Sequence, residues 1–454
     1  MKQSELARLD HDICGTVWTS PHAKSLMDTL CNDIGPRTTG SKGFAEATRI
    51  IGNALKKLGA TNVKTEPVKV LAWKDGPVSV ELKAPKRRRY EAVQHTLCTG
   101  GKVSGPLVDI GGGSVEALDR VGKRLEGAIA LMQGHTVAVG AYVPVAVRAR
   151  RVSDRGAAGL IVRNTKPDVG PTVENVGVLD NLPIPSVGVS FEDGYELADY
   201  AAQPRSKVQI EVGGRSRRTA CTNLIADIKA GCKTDEMVVM SAHLDAVSET
   251  VSGAFDDLTG VVTAIEIVRA LAPFRKKFRR NLRLLFTTSE ELGWIGSRSY
   301  VERHADELDN VSFNFNLDCM LPTTAKGVAV MWAPKMRDLI ERYSRQTQCE
   351  MDARNLFCMS SDYMPFMLAG IAASRPADWH NTFPVWSHTA MDTINRVPID
   401  WIRANAMAHA QWFMRVMTEP KPLPTKRKSP EEVAQLLAKE NVEEAFTFYG
   451  LWDF

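Results

Sequence analysis

Apolar residues change rhythm three times along this chain, and each change marks a different kind of structure. Residues 23–30 and 43–58 carry apolar side chains at helical spacing and predict two helices. The breaker-rich run Gly35-Pro36-Arg37-Thr38-Thr39-Gly40-Ser41 lies between them. From residue 62 to 82 alternation takes over (Val63, Thr65, Pro67, Lys69, Leu71, then Val78, Val80 and Leu82), which predicts paired strands. Residues 91–212 are rich in Gly and Val, with short strand-like runs at 128–132 and 159–162 and a helical stretch at 146–156. This texture predicts an inserted β-rich domain, and no repeat period runs through it.

After Arg218 the pattern becomes strand, loop, helix. Residues 223–228, 237–241, 282–287 and 312–317 are apolar runs of buried-strand length, and 260–271 and 296–302 read as helices. Strands alternating with helices predict an α/β fold: a mixed, mostly parallel sheet covered on both faces. In such sheets, ligands sit beyond the carboxyl ends of the strands. A last helix is predicted over 401–417. Pro420, Pro422 and Pro424 then make a stiff linker, and Ser429-Pro430-Glu431-Glu432 has the hydroxyl cap, first-turn proline and early acids of a helix start. The aromatic end (Phe446, Phe448, Tyr449, Trp452, Phe454) is expected to dock on this chain or on a partner subunit. The predicted division is thus 1–90 and 213–418 for one domain, 91–212 for the insert and 419–454 for the tail.

Composition narrows the function classes. With 44% hydrophobic and 24% charged residues the chain has a globular balance, and 454 residues exceed a single core. A net charge of +4 gives no reason to expect nucleic acid or an anionic membrane as partner. The basic runs 86–89, 148–151, 215–218 and 275–280 read as solvated loops and helix ends, without interleaved aromatics. Eight scattered cysteines, with no C-x-x-C pair, suggest reduced thiols. The opening residues lack the apolar core of a signal peptide, and no stretch reaches membrane-spanning length, so a cytoplasmic protein is expected.

The candidate chemistry lies at the predicted strand ends between residues 243 and 392. The motifs are His243-Leu244-Asp245, Asp256-Asp257 ahead of the helix at 260, Ser289-Glu290-Glu291, Asn316-Leu317-Asp318 and Ser387-His388 with Asp392. A lone histidine at a strand end is more often structural than a ligand. A carboxylate two residues on favours the ligand role, because a metal-bound imidazole needs its other nitrogen held. His243 is therefore assigned as ligand, with Asp245 orienting it or the neighbouring base. Asp256 or Asp257 could simply cap the following helix, or Asp256 could bridge two cations. Adjacent acids after a buried strand repel one another unless cations neutralise them, so Glu291 reads as a ligand and Glu290 as a general base. Asp318 and His388 complete a set of two imidazoles and three carboxylates. Two divalent ions fit such a set, zinc by default, with manganese or cobalt compatible.

These motifs, in this order, resemble the M28 metallopeptidases, the co-catalytic zinc aminopeptidases and carboxypeptidases, and in particular their carboxypeptidase Q branch. Residues 30–41, Glu66-Pro67-Val68 and Trp73 are similar to that group's N-terminal region, and residues 91–212 resemble its protease-associated insert. The resemblance implies one metal on His243 and Asp318 and another on Glu291 and His388. It further implies Asp256 between them, Glu290 as base and a cis peptide between Asp256 and Asp257. Asp362 matches a loop lining the family's pocket, and Tyr363 and His380 are candidates for oxyanion stabilisation. The expected activity is hydrolysis of a peptide or small amide bond. Small substrates are expected, since the insert and a second subunit of a homodimer or higher homo-oligomer would narrow the cleft. Competing readings are a non-peptide amidohydrolase or deaminase on the same centre, and a catalytically silent binding protein.

Overall fold

The structure, a computed structural model, describes residues 3–134, 143–321, 327–347, 349–377, 379 and 383–452. Two eight-stranded sheets organise it. The larger has the spatial order Thr61–Lys74, Arg215–Ile228, Asn281–Thr287, Met237–His243, Val311–Asn316, Ala373–Ala377, Gly327–Met331, Asp352–Asn355. Its four middle strands, from Asn281–Thr287 to Ala373–Ala377, run parallel, and antiparallel pairs flank them. Met237–His243 is buried along its whole length, as a central strand covered on both faces must be.

Helices cover the sheet as the alternation predicts. Leu258–Leu271 is buried at every position but Arg269, because it packs between strand Met237–His243, the N-terminal helix Gln3–Trp18 and the long helix Ile399–Thr418. Phe315 meets Trp412 and Phe413 of that long helix at ring separations of 5.0 and 5.8 Å. Helix Lys42–Lys57 begins on Ser41, whose hydroxyl accepts the Phe44 N–H, and ends the breaker-rich loop as predicted.

The alternating region at 62–82 does not form one hairpin. Thr61–Lys74 pairs with Arg215–Ile228 in the large sheet, whereas Val78–Ala84 pairs with Arg88–Tyr90 and Lys207–Val212 in the second sheet. Asp75, Gly76 and Pro77 redirect the chain between the two sheets. The return linker packs hard against them: a side chain at Gly76 would meet Gly213 O at 2.3 Å, and one at Gly214 would meet the Trp73 ring at 2.2 Å. Such a double crossing fixes the second sheet on the first.

The second sheet includes the parallel strands Gly101–Asp109, Ile129–Gln133, Gly159–Arg163 and Ser186–Val189 around its own apolar core. Helix Val145–Asp154 accompanies it, and Gly159 permits close packing, since a side chain there would press on Ile210, Ile129 and Val103. Two arginines of the basic runs are buried rather than solvated: Arg148 donates to the carbonyls of Gly112, Gln133 and Gly134, and Arg280 pairs with Glu236.

The tail docks on its own chain. Ser429 and Glu432 form a reciprocal cap at the start of helix Pro430–Leu437. Helix Glu443–Phe448 then brings Tyr449 into a stack on Trp294, with ring centroids 4.8 Å apart. All eight cysteines are unpaired. No helix among the described residues is long and apolar enough to cross a membrane.

Candidate metal centre

The four parallel strands deliver their carboxyl ends to one place. His243 is the last residue of its strand; Glu290 and Glu291 follow Asn281–Thr287 by three and four residues; Asp318 lies two beyond Val311–Asn316. Asp256 arrives from the loop before helix Leu258–Leu271, and His388 from the loop before helix Ile399–Thr418.

Asp256 stands at the middle of the cluster. Its Oδ1 lies 3.0 Å from His243 Nε2, and its Oδ2 lies 3.2 Å from His388 Nε2. His243 Nε2 also faces Asp318 Oδ1 at 3.7 Å, and His388 Nε2 faces Glu291 Oε2 at 3.2 Å. Two triads therefore share Asp256: His243, Asp256 and Asp318, and Asp256, Glu291 and His388. Within each, the donor atoms lie within 4.8 Å of one another. Glu290 belongs to neither triad, but its Oε2 is 4.0 Å from His243 Nε2.

The electrostatics describe a site that draws cations. Burial disfavours charge on His243 and His388, yet Glu290 and Asp256 beside the first, and Glu291 and Asp256 beside the second, raise both imidazoles well above their ordinary value. Against the push of burial, hydrogen bonds from the two imidazoles hold Asp256 well below the usual carboxylate range. Burial drives Glu290 well above that range, with Asp318 and Glu291 adding to it and His243 opposing. Glu291 Oε1 is buried without a hydrogen-bond partner. Four crowded carboxylates against two imidazoles, with one oxygen orphaned, fit a pair of divalent cations.

Supporting contacts hold the residues around the two triads. Asp245 is fully buried; its Oδ1 accepts the Glu290 N–H (3.2 Å) and its Oδ2 the Glu291 N–H (3.3 Å), while its carbonyl faces His243 Nδ1 at 3.1 Å. It therefore meets the histidine through its backbone carbonyl and holds the acid pair through its carboxylate. Asp257 caps the helix through Gly260 N–H (2.9 Å) and accepts Cys319 N–H (3.0 Å), tying it to the Asp318 loop. Of the two adjacent acids, Asp257 is therefore the one that caps the helix. The peptide bond joining them is cis.

The sequence assigns no such role to two further supports, although Arg37 lies in the 30–41 run and Asp392 in the His388 motif. Arg37 is fully buried and donates to the carbonyls of Leu30, Gly35, Leu244, Ser252 and Gly253, stitching the turn after His243 to the loop before Asp256. Asp392 accepts the N–H groups of Phe255 and Asp256. The pocket candidates behave differently from the ligands. Asp362 is fully buried, with Thr287 and Ser297 hydroxyls on its two oxygens, and Tyr363 is buried with its hydroxyl 3.1 Å from Ser360 Oγ. Neither hydrogen-bonds a ligand side chain among the described residues, and His380 lies outside them.

Sequence comparison agrees with the geometry. Residues 223–413 match the pattern of Peptidase family M28, and residues 103–197 match that of the PA domain. The first of these stretches thus resembles an M28 peptidase domain. It is similar to carboxypeptidase Q of Bos taurus, with 28% identity over 312 residues, 65% of each chain. It is also similar to leucine aminopeptidase 2 of Trichophyton equinum, with 28% identity over 62% of this chain and 54% of that one. The matches thus span less than two thirds of these relatives' lengths. The fold resembles that of an M28 peptidase precursor from Shewanella amazonensis, with a TM-score of 0.83 and 20% identity over 94% of this chain and all of that one. A zinc aminopeptidase from Bacillus subtilis shares the fold at a TM-score of 0.68, with 20% identity over 90% of this chain and 98% of that one. The PA-domain match falls within the stretch that separates the first strand of the larger sheet from the second.

Proposed function

We propose that this chain is a two-metal hydrolase that cleaves a peptide or small amide bond, with Glu290 as general base. The observation that carries this reading is the position of Asp256, each of whose oxygens faces a different imidazole while a further carboxylate backs each imidazole. His243, Asp256 and Asp318 would hold one cation, and Asp256, Glu291 and His388 the other. Zinc suits this nitrogen and oxygen set, and the Bacillus subtilis relative is named as a zinc enzyme. A bound pair would supply Lewis acidity toward the scissile carbonyl and acidify water.

Glu290 is the acid left over once both triads are filled. Its carboxylate takes the proton of the attacking water and returns it to the leaving amine, the double role a single buried base can fill. Asp245 keeps Glu290 and Glu291 in register by binding both backbone N–H groups.

The PA-domain insert against the site favours small substrates, dipeptides or amino-acid conjugates. A cytosolic location fits eight unpaired thiols. The test is a screen of dipeptides, N-acyl amino acids and aryl amides with metal-stripped and zinc-reloaded protein, read by mass spectrometry. Metal-dependent amide cleavage is expected. Binding of two metal equivalents without turnover of any amide would transfer the reading to deamination or ligand binding.

A further inference from the structure

The loop that follows Gly170 in the PA-domain insert reaches both acid- and histidine-bearing loops of the metal centre. Val173 donates its backbone N–H to the carbonyl of His388 at 2.9 Å. Its side chain is buried with Val247 and Val251, from the loop that follows His243 and Asp245. Five residues on, Val178 closes over Gly293, where a side chain would meet Val178 Cγ1 at 2.7 Å. Gly293 directly follows the Glu290-Glu291-Leu292 run, and its N–H bonds back to the Glu290 carbonyl. Residues 173–178 thus touch the backbone on either side of the Glu291 and His388 pair.

His388 needs such support. Its φ of 59° puts a non-glycine residue in the left-handed region, a conformation that costs energy and persists only where neighbours fix it. Its own loop supplies short-range turns, with Thr389 N–H to Trp386 O and Asp392 N–H to Thr389 O. The bond from Val173 is the one that reaches the His388 carbonyl from another domain. The tail closes the assembly: Arg151 of the insert pairs with Glu444, and Tyr449 stacks on Trp294 next to Gly293.

We infer that the PA-domain insert is a structural part of one metal position: the Val173 N–H positions His388, so the insert sets the affinity of the Glu291 and His388 site separately from that of the His243 and Asp318 site. This rests on the two-metal reading above. Val173 is a positioning residue, since it touches His388 through the backbone and faces no ligand atom. The insert's tight double linker makes this a fixed strap rather than a swinging lid.

The experiment is a Co2+ titration of the stripped full chain, followed by calorimetry and visible absorbance. Wild type is expected to bind two equivalents. Val173→Pro, which removes the N–H, should weaken one equivalent by tenfold or more and leave the other. Val173→Ala, which keeps the N–H, should retain both. In a His388→Ala background, adding Val173→Pro should leave the remaining equivalent unchanged. Equal binding of both equivalents in wild type and Val173→Pro, or weakening of both alike, overturns the strap. Fewer than two equivalents in wild type overturns the two-metal reading itself. If Val173→Pro fails to fold, amide exchange in the wild type decides: the Val173 N–H should exchange at least tenfold more slowly with Co2+ bound than after chelation. An unchanged exchange rate overturns the proposal.

Discussion

Asp392 holds Asp256 by its backbone: one carboxylate oxygen accepts the Phe255 N–H at 2.7 Å and the other the Asp256 N–H at 3.2 Å. The loop that carries His388 therefore also fixes the residue between the two imidazoles, four positions further on. Removing that carboxylate leaves two buried donors without acceptors, each worth about 1–3 kcal/mol. Asp392→Ala should lower metal affinity or kcat/KM by about 10–100-fold, as loss of a ligand's support typically does. Asp392→Asn keeps one acceptor oxygen and should lose less. Metal content and kcat/KM measured together check this; wild-type values for Asp392→Ala would remove Asp392 from the support of the site.

Glu290→Gln separates base from ligand. The amide cannot accept the water proton but fills the same volume, and neither triad includes this side chain. Both metal equivalents should remain while kcat falls by about 10²–10⁴-fold, the usual contribution of a positioned base. Glu291→Gln should instead cost metal, since Glu291 Oε2 faces His388 at 3.2 Å. Equal metal loss in the two variants would show that the neighbouring glutamates do not divide their roles.

Arg37 is the largest polar investment in the centre, and its removal should unfold the loops before it touches the chemistry. Its guanidinium satisfies five carbonyls, from Leu30, Gly35, Leu244, Ser252 and Gly253, with no solvent exposure. Arg37→Met strands those acceptors and should destabilise by about 3–5 kcal/mol, at the upper end for one substitution. Arg37→Lys can reach one or two of them and should fall between. Denaturant midpoints of the stripped protein measure this without interference from bound metal.

The sequence shows most clearly those elements whose pattern is set by burial alone. Strands predicted at 237–241, 282–287 and 312–317 appear as Met237–His243, Asn281–Thr287 and Val311–Asn316, and the helix at 260–271 as Leu258–Leu271. Each is apolar because both its faces are covered. On the far side of the sheet, Asp352–Asn355 is mostly exposed and Ala373–Ala377 contains Arg375 and Pro376, so neither gave such a signal; Gly327–Met331 is apolar and buried throughout, and was not read as a strand. The strands expected at 62–82 form but join different sheets, because alternation shows that a segment is a half-buried strand, not which sheet it joins. At the site, the residues that cluster in the two triads were legible because paired acids and histidines at strand ends stand out in the sequence. Arg37 and Val173 were not, since what they bind is backbone carbonyl, and any sequence supplies that.

Acid should weaken this fold through two buried imidazoles far from any metal ligand in role. His409 accepts the Trp412 indole N–H at 3.2 Å beneath Phe315, and burial lowers its pKa to about 3; burial does the same to His95 in the insert, also to about 3. An unfolded histidine titrates near about 6.5, so between roughly pH 6.5 and 3 the unfolded chain binds protons that the folded chain refuses. Stability therefore falls as pH falls through that window, by up to about 1.4 kcal/mol per pH unit for each histidine. His409→Gln keeps an acceptor for Trp412 but cannot take up the proton. Its unfolding free energy, followed from pH 7 to pH 5 in chelator, should fall less steeply than that of the wild type. Identical slopes would mean that His409 gains its proton in the folded state as readily as in the unfolded one, and that burial does not keep it neutral.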